Sequence, residues 1–473
     1  MGGFFGVASK NDCTSDLFFG TDYHSHLGTV RGGLAIKNDG ALEHVIHDIT
    51  NSQFRSKFDE DISTMTGNWG IGVISDFDDQ PLVIGSHLGN YAIVTVGAIQ
   101  NLHNLAAEAF KRRSTHFSEM SGSEINPTEL VATLINEGAS FVEGLRNAQE
   151  AIEGSCSILL LTDDGLYAAR DRYGRTPMIL GKRNGAYAVT METTAFPNLN
   201  YERVRDLGPG EIVRITPDGA EQMQAPRKEM QICAFLWVYF GYPSSSYEGI
   251  NVEDVRNRCG AALARKDNAK VDLVSGIPDS GTAHAVGYAN AAGLPYRRPF
   301  VKYTPTWPRS FMPQDQTIRN LVASMKLIPI RELMSDKSVL FCEDSIVRGT
   351  QLRGIIERVY GYGAREIHMR PACPPLVFGC KYLNFSRSRS LMDLATRKAM
   401  KKLEGDNVTN PYAYTDPDSQ KHQDMVEIIR RDLNLTSLKF QRLTDLVNAI
   451  GLPKSQLCTY CWDGCEGCPH ATH

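Results

Sequence analysis

Glu343 and Asp344, two adjacent acids, are followed by Ser345, Ile346, Val347, Arg348, Gly349 and Thr350, and here the residue types of this 473-residue chain suit a defined chemistry. Carboxylates at the C-terminal end of a strand can accept hydrogen bonds from the vicinal hydroxyls of a ribose. Two hydroxyl side chains, a glycine and the unpaired N–H groups of a helix N-terminus make a cradle for a phosphate dianion. One loop could therefore hold a ribose 5-phosphate. The flanks agree: residues 339–342 are an apolar run that predicts a buried strand, and Leu352, Ile355, Ile356 and Val359 predict the helix that follows. Upstream, residues 271–274 predict another strand and residues 283–292 another helix, with Pro278, Asp279, Ser280 and Gly281 in the loop between them. Pro-Asp-Ser-Gly is also a common turn composition, and the repeated βα pattern is what gives it weight.

The length predicts more than one core. Hydrophobic residues at 42%, charged residues at 22% and a net charge of −4 fit a globular protein with no electrostatic footprint for nucleic acid. No apolar run is long enough to span a bilayer and no signal peptide is visible, so a cytoplasmic location is expected. Among the 11 cysteines, Cys13, Cys156, Cys259, Cys342 and Cys373 are scattered singly and read as buried thiols, whereas Cys458, Cys461, Cys465 and Cys468 crowd the tail.

The stretch from Glu343 to Thr350 closely resembles the loop of type I phosphoribosyltransferases that binds 5-phosphoribosyl 1-pyrophosphate (PRPP), with Gln351 replacing a final threonine. Residues 275–282 resemble the pyrophosphate loop of the same enzymes. Between the two loops, Lys302 and Arg309 match cations of a lid that closes on substrate. There the chain departs from the pattern: one arginine is missing, one residue is inserted, and Pro305 and Pro308 appear. Lys326 persists downstream. A solvated surface lysine is the other reading of Lys302 and of Lys326.

The N-terminal half is similar to a glutamine amidotransferase domain of the N-terminal-nucleophile type, most closely over residues 166–177 and 206–212. Alternating apolar runs at 157–161, 187–190 and 212–215 fit strands of a layered sheet domain. That family attacks the glutamine amide with an N-terminal cysteine. Here Gly2 follows Met1. The resemblance puts Gly70 where a clamping arginine belongs, Val73 at a threonine, Thr95-Val96-Gly97-Ala98 at the oxyanion segment and Pro127 at the acid that recognises the substrate amine. His26 and Gly28 survive beside Leu27 and Thr29. Losing one oxyanion donor alone costs about two to three orders of magnitude in rate. No glutamine hydrolysis is expected.

One branch of the family carries a [4Fe–4S] cluster, and the resemblance assigns its ligands to Cys233, Cys380, Cys458 and Cys461. A Cys₄ zinc knuckle of Cys458, Cys461, Cys465 and Cys468 is the alternative, and it leaves Cys233 and Cys380 unexplained.

The whole chain thus resembles the amidophosphoribosyltransferase family. The resemblance implies an Ntn-type αββα sandwich at residues 1–225, an α/β type I phosphoribosyltransferase domain with a parallel sheet at 226–450, and a Cys-rich tail at 451–473. It implies PRPP as substrate, Mg²⁺ held largely through substrate oxygens near Glu343 and Asp344, and a homo-oligomer. Three functions remain open: transfer of ribose 5-phosphate to ammonia or another amine, a PRPP- or nucleotide-binding regulator without turnover, and a subunit fed by a separate glutaminase. No nucleic acid or membrane partner is expected.

Overall fold

The computed structural model describes residues 2–38, 40–111, 117, 120–121, 124–302, 327–383, 391–406 and 408–466. Arg309, Lys326 and Cys468 lie outside the described residues, as do Pro305 and Pro308.

Period-two alternation shapes the first part of the chain. In the strand Gly2–Ser9, Phe4 and Ala8 enter one apolar cluster while Phe5 and Val7 enter another; in Gly154–Leu161, Leu159 and Leu161 oppose Ile158 and Leu160 in the same way. Strands buried on both faces belong inside a layered structure. Two antiparallel sheets accordingly stack on each other. One runs Glu202–Asp206, Ile179–Arg183, Ala186–Thr190, Gly2–Ser9, Trp69–Ser75, Arg31–Asn38, Ala41–Asp48; the other runs Gly219–Gln224, Ile212–Thr216, Leu166–Ala169, Gly154–Leu161, Gly89–Ile99, Leu82–Ser86. Phe4, Ile71, Val94, Leu159 and Val189 fill the space between them. Helices Thr14–Asp22 and Phe54–Thr64 cover the outside of the first sheet through Leu17, Phe18, Phe54 and Phe58. Pro127–Ile135 and Phe141–Ala151 cover the second through Val131, Ile135, Leu145 and Ala148. This is an αββα sandwich.

The second half of the chain carries a four-stranded parallel sheet, in the order Leu273–Gly276, Ser338–Glu343, Glu366–Pro371, Ser437–Leu438. Ser338–Glu343 is buried along its whole length, as an unbroken apolar run in a parallel sheet requires. Leu340 and Cys342 pack with Val255, Cys259, Ala285 and Tyr288 on one side; Val339 and Phe341 pack with Ile356, Val359, Met425 and Ile429 on the other. No helix among the described residues is long and apolar enough to cross a membrane.

Residues 232–240 form a short strand and a turn. Only Ile232–Cys233 pairs, in parallel with Leu457–Cys458, and Leu236–Phe240 closes into a π-turn ended by a 2.7 Å hydrogen bond from Gly241 N to Leu236 O. The run is apolar throughout without alternation, and its partner strand offers two residues, so the backbone satisfies itself instead.

His24 is fully buried, its ring bonded to Gly20 O at 2.9 Å and Thr190 Oγ1 at 3.1 Å, and burial pulls its pKa from 6.5 down to about 4. The unfolded chain takes up this proton near 6.5, the folded chain only near 4, so the contribution is complete above 6.5 and lost as pH falls towards 4. Urea midpoints should drop between pH 6.5 and 5, by about 1.4 kcal/mol of stability per pH unit from this residue. His24→Gln should flatten that slope; an unchanged slope contradicts the assignment.

Candidate functional site

The two βα loops meet at the C-terminal edge of the parallel sheet. Gly276 pairs with Cys342, and Ile277 N carries the ladder on into the first loop by bonding Cys342 O at 3.0 Å. Gly281 then folds back onto the same carbonyl: a Cβ there would lie 2.3 Å from Cys342 O. Only glycine allows that approach. The Pro278–Asp279 peptide is cis. Helices Thr282–Ala292 and Thr350–Gly361 start directly after the loops, so both present first-turn N–H groups at this edge.

In the second loop Gly349 takes a left-handed conformation, φ +74°, immediately before the helix, and Ile346 is buried as an anchor. Ala395 N bonds Val347 O at 2.8 Å, while Arg348 lies on the surface 3.6 Å from Asp393. Glu343 and Asp344 are buried. Ser280 Oγ donates to Glu343 Oε1 at 3.1 Å, which ties the first loop to the second, and Ser345 Oγ donates to Asp344 Oδ2 at 2.6 Å. Burial and the adjacent Asp344 charge push Glu343 well above the usual carboxylate range. A carboxyl that holds its proton more tightly can donate as well as accept hydrogen bonds to a sugar diol. Lys302 stands at the rim, its Nζ 2.5 Å from Asp279 Oδ2, with both groups exposed. The structure thus brings together Pro278, Asp279, Ser280, Gly281, Lys302 and residues 343–350.

The far end of the sandwich is built around the strand that begins at Gly2. Gly70 pairs with Val7, five residues along the strand from Gly2 and about 17 Å away at ~3.4 Å per residue. The residue opposite Gly2 is Ser75, and Val73 pairs with Phe4. Ser75 has its own duties, accepting the N–H groups of Phe77 and Asp78 at 3.2 and 3.3 Å. A Cβ on Gly2 would meet Ile74 O at 2.4 Å. Thr95 N donates to Gln80 Oε1 at 2.7 Å, and Thr95 and Thr128 hydroxyls bond each other at 2.7 Å. Pro127 occupies the first turn of a helix capped by Asn126. Beside this end lies a cavity of about 580 Å³ lined by Arg31, His44, Asp48, Asp79 and Glu129, in which Arg31 is paired with both Asp48 and Asp79.

The four cysteines converge. Cys233 and Cys458 are register partners, Cys461 shares a hydrogen bond with Cys380, and Cys233, Cys380 and Cys458 each raise the Cys461 pKa. Burial pushes the Cys458 thiol up to about 11. Among the described residues no group of three or more His, Cys, Asp or Glu side chains is arranged to hold a single metal ion. A mononuclear zinc site would need sulfurs ~3.8 Å apart, from Zn–S of ~2.3 Å; a cubane spreads its thiolates over separate irons. The Cys465 N–H bonds Asp463 at 2.9 Å. Sequence reasoning missed two groups: Arg175, whose carbonyl accepts the Cys233 N–H at 3.1 Å, and Glu192, which accepts from Tyr247 at 2.8 Å and lies 3.2 Å from His26. Neither carries a local signal, because the partners lie far away in sequence.

Comparison with known proteins gives a consistent result. Residues 69–198 match a family described as a glutamine amidotransferase domain. Amidophosphoribosyltransferase of Methanothermobacter thermautotrophicus is 29% identical over 98% of this chain and 93% of its own length. That of Archaeoglobus fulgidus is 32% identical over 68% of this chain and 72% of its own. A glutamine PRPP amidotransferase of B. subtilis, solved with ADP and GMP, superposes with a TM-score of 0.84 at 25% identity over 98% of this chain and 96% of that one.

Gly281→Ala should separate the loops, since the new methyl group meets backbone rather than a movable side chain. A loss of roughly 1–3 kcal/mol is expected, read as a lower urea midpoint, together with weaker PRPP binding by calorimetry. Wild-type values for both would contradict the close approach.

Proposed function

The chain belongs to the amidophosphoribosyltransferase family, and on that premise we propose that it transfers ribose 5-phosphate from PRPP to ammonia or another amine without splitting glutamine. The observation that carries the first half is the joining of the two loops, with buried Glu343 and Asp344 at their seam. The 5-phosphate sits on the N–H groups and hydroxyls of Ser345 to Thr350, the ribose diol on Glu343 and Asp344, and the pyrophosphate beside residues 278–281. The amine nitrogen forms a bond to C1 of the ribose as the C1–O bond breaks; the electron pair leaves on pyrophosphate, and the surplus proton on nitrogen passes to solvent. Lys302 counters the leaving charge once it exchanges Asp279 for pyrophosphate, and Arg309 adds to it. The buried acids suit Mg²⁺ held mostly by substrate oxygens, which would supply charge neutralisation.

The second half rests on the sandwich. Where a nucleophile's side chain would project, Gly2 faces a backbone carbonyl, and the neighbouring polar groups bond one another. Division at residues 225 and 450 and a homo-oligomeric state are part of the same reading. Buried Cys233 and half-buried Cys380, Cys458 and Cys461, drawn from three segments, fit a [4Fe–4S] cluster that staples the tail in place. The altered lid, with Pro305 and Pro308, favours a second reading as a PRPP-binding regulator.

Incubation with PRPP, Mg²⁺ and ammonium should release pyrophosphate, and glutamine in place of ammonium should release none above background. Binding without release assigns the regulator. Release with glutamine equal to that with ammonium overturns the reading of the sandwich.

A further inference from the structure

Arg175 reaches from the sandwich into the cysteine site. It is 3% exposed, and its guanidinium lies 3.9 Å from the Tyr382 ring centre and 4.7 Å from that of Tyr173. Nη1 donates to Gly154 O at 2.9 Å, whereas Nε is buried without a protein partner. Arg175 O accepts the Cys233 N–H at 3.1 Å, and Cys233 is the register partner of Cys458. One residue of the sandwich is therefore bonded to the strand pair that carries two of the four cysteines, with its guanidinium buried against the ring of Tyr382, two residues from a third. A buried cation facing a carbonyl and two rings is unfavourable unless an anion lies beside it. Four thiolates holding an oxidised cubane carry a net negative charge and supply that anion.

We propose that Arg175 is the charge partner of the cysteine-held iron–sulfur centre, a positioning residue that neutralises its thiolates, raises its reduction potential and couples the sandwich to the tail. This rests on the cluster reading above. Removing the cation makes adding an electron to an anionic centre harder. A lysine in its place keeps the charge and loses the planar fork.

The test uses the full chain, reconstituted anaerobically with ferrous iron and sulfide, as wild type, Arg175→Lys and Arg175→Met. Iron and sulfide per chain are counted first, and midpoint potentials are then read by dye-mediated titration followed by electron paramagnetic resonance. Arg175→Met should lower the equilibrium constant for reduction about tenfold, ~59 mV for a one-electron couple, with Arg175→Lys between it and wild type. Loss of iron by Arg175→Met with retention by Arg175→Lys supports the same role. Equal potentials and equal iron in wild type and Arg175→Met overturn it, as does loss of iron by both variants alike. If wild type itself takes up no iron, the cluster reading fails and this inference with it.

Discussion

The hydrogen bond from Ile277 N to Cys342 O, with Gly281 pressed against the same carbonyl, is the contact on which the site depends. It extends the ladder between two parallel strands by one residue beyond their ends and fixes both loops to a single backbone atom. A ligand with phosphate groups at two ends must bridge two binding loops, and here the spacing between them is set by the fold before any ligand arrives. The ordering cost is therefore met largely during folding. Crevices at the C-terminal ends of parallel strands are where such sheets bind ligands, because loops and helix N-termini collect there.

The rest of the chain braces that edge from behind. Ala372 N bonds Glu343 O at 2.8 Å, and the following Cys373 lies in the same apolar cluster as Trp462 of the tail. Trp462 in turn stacks on Phe235 at 5.5 Å, and Val377 and Phe378 both donate to Cys461 O at 3.0 Å. The cysteine site thus lies on a continuous path of packed groups to the acid pair. The sandwich joins the same wall through Glu192, whose carboxylate takes the Tyr247 hydroxyl from the other half of the chain.

Much of this was legible in sequence for local reasons. The site residues of each loop are consecutive, and their strands and helices announce themselves as apolar runs and as 3.6-residue spacing. Leu352, Ile356 and Val359 are buried as that spacing requires. The alternation of residues 157–161 correctly signals a strand with two buried faces. What sequence could not supply was non-local. The register that sets Ser75 rather than Gly70 opposite Gly2 is decided across a sheet. The π-turn at Leu236–Phe240 follows from the shortness of a partner strand contributed by the tail. Arg175 sits in a stretch that reads as an ordinary turn, and its meaning appears only when segments hundreds of residues apart converge. The raised pKa of Glu343 likewise depends on burial that no local pattern reveals.

A crystal structure of the full chain grown with PRPP and Mg²⁺ tests the central claim most directly. The account predicts the 5-phosphate on the backbone between Ser345 and Thr350, the ribose hydroxyls on Glu343 and Asp344, and the pyrophosphate against Ser280 and Gly281. Density for PRPP elsewhere, or an unliganded edge at saturating PRPP, would contradict it.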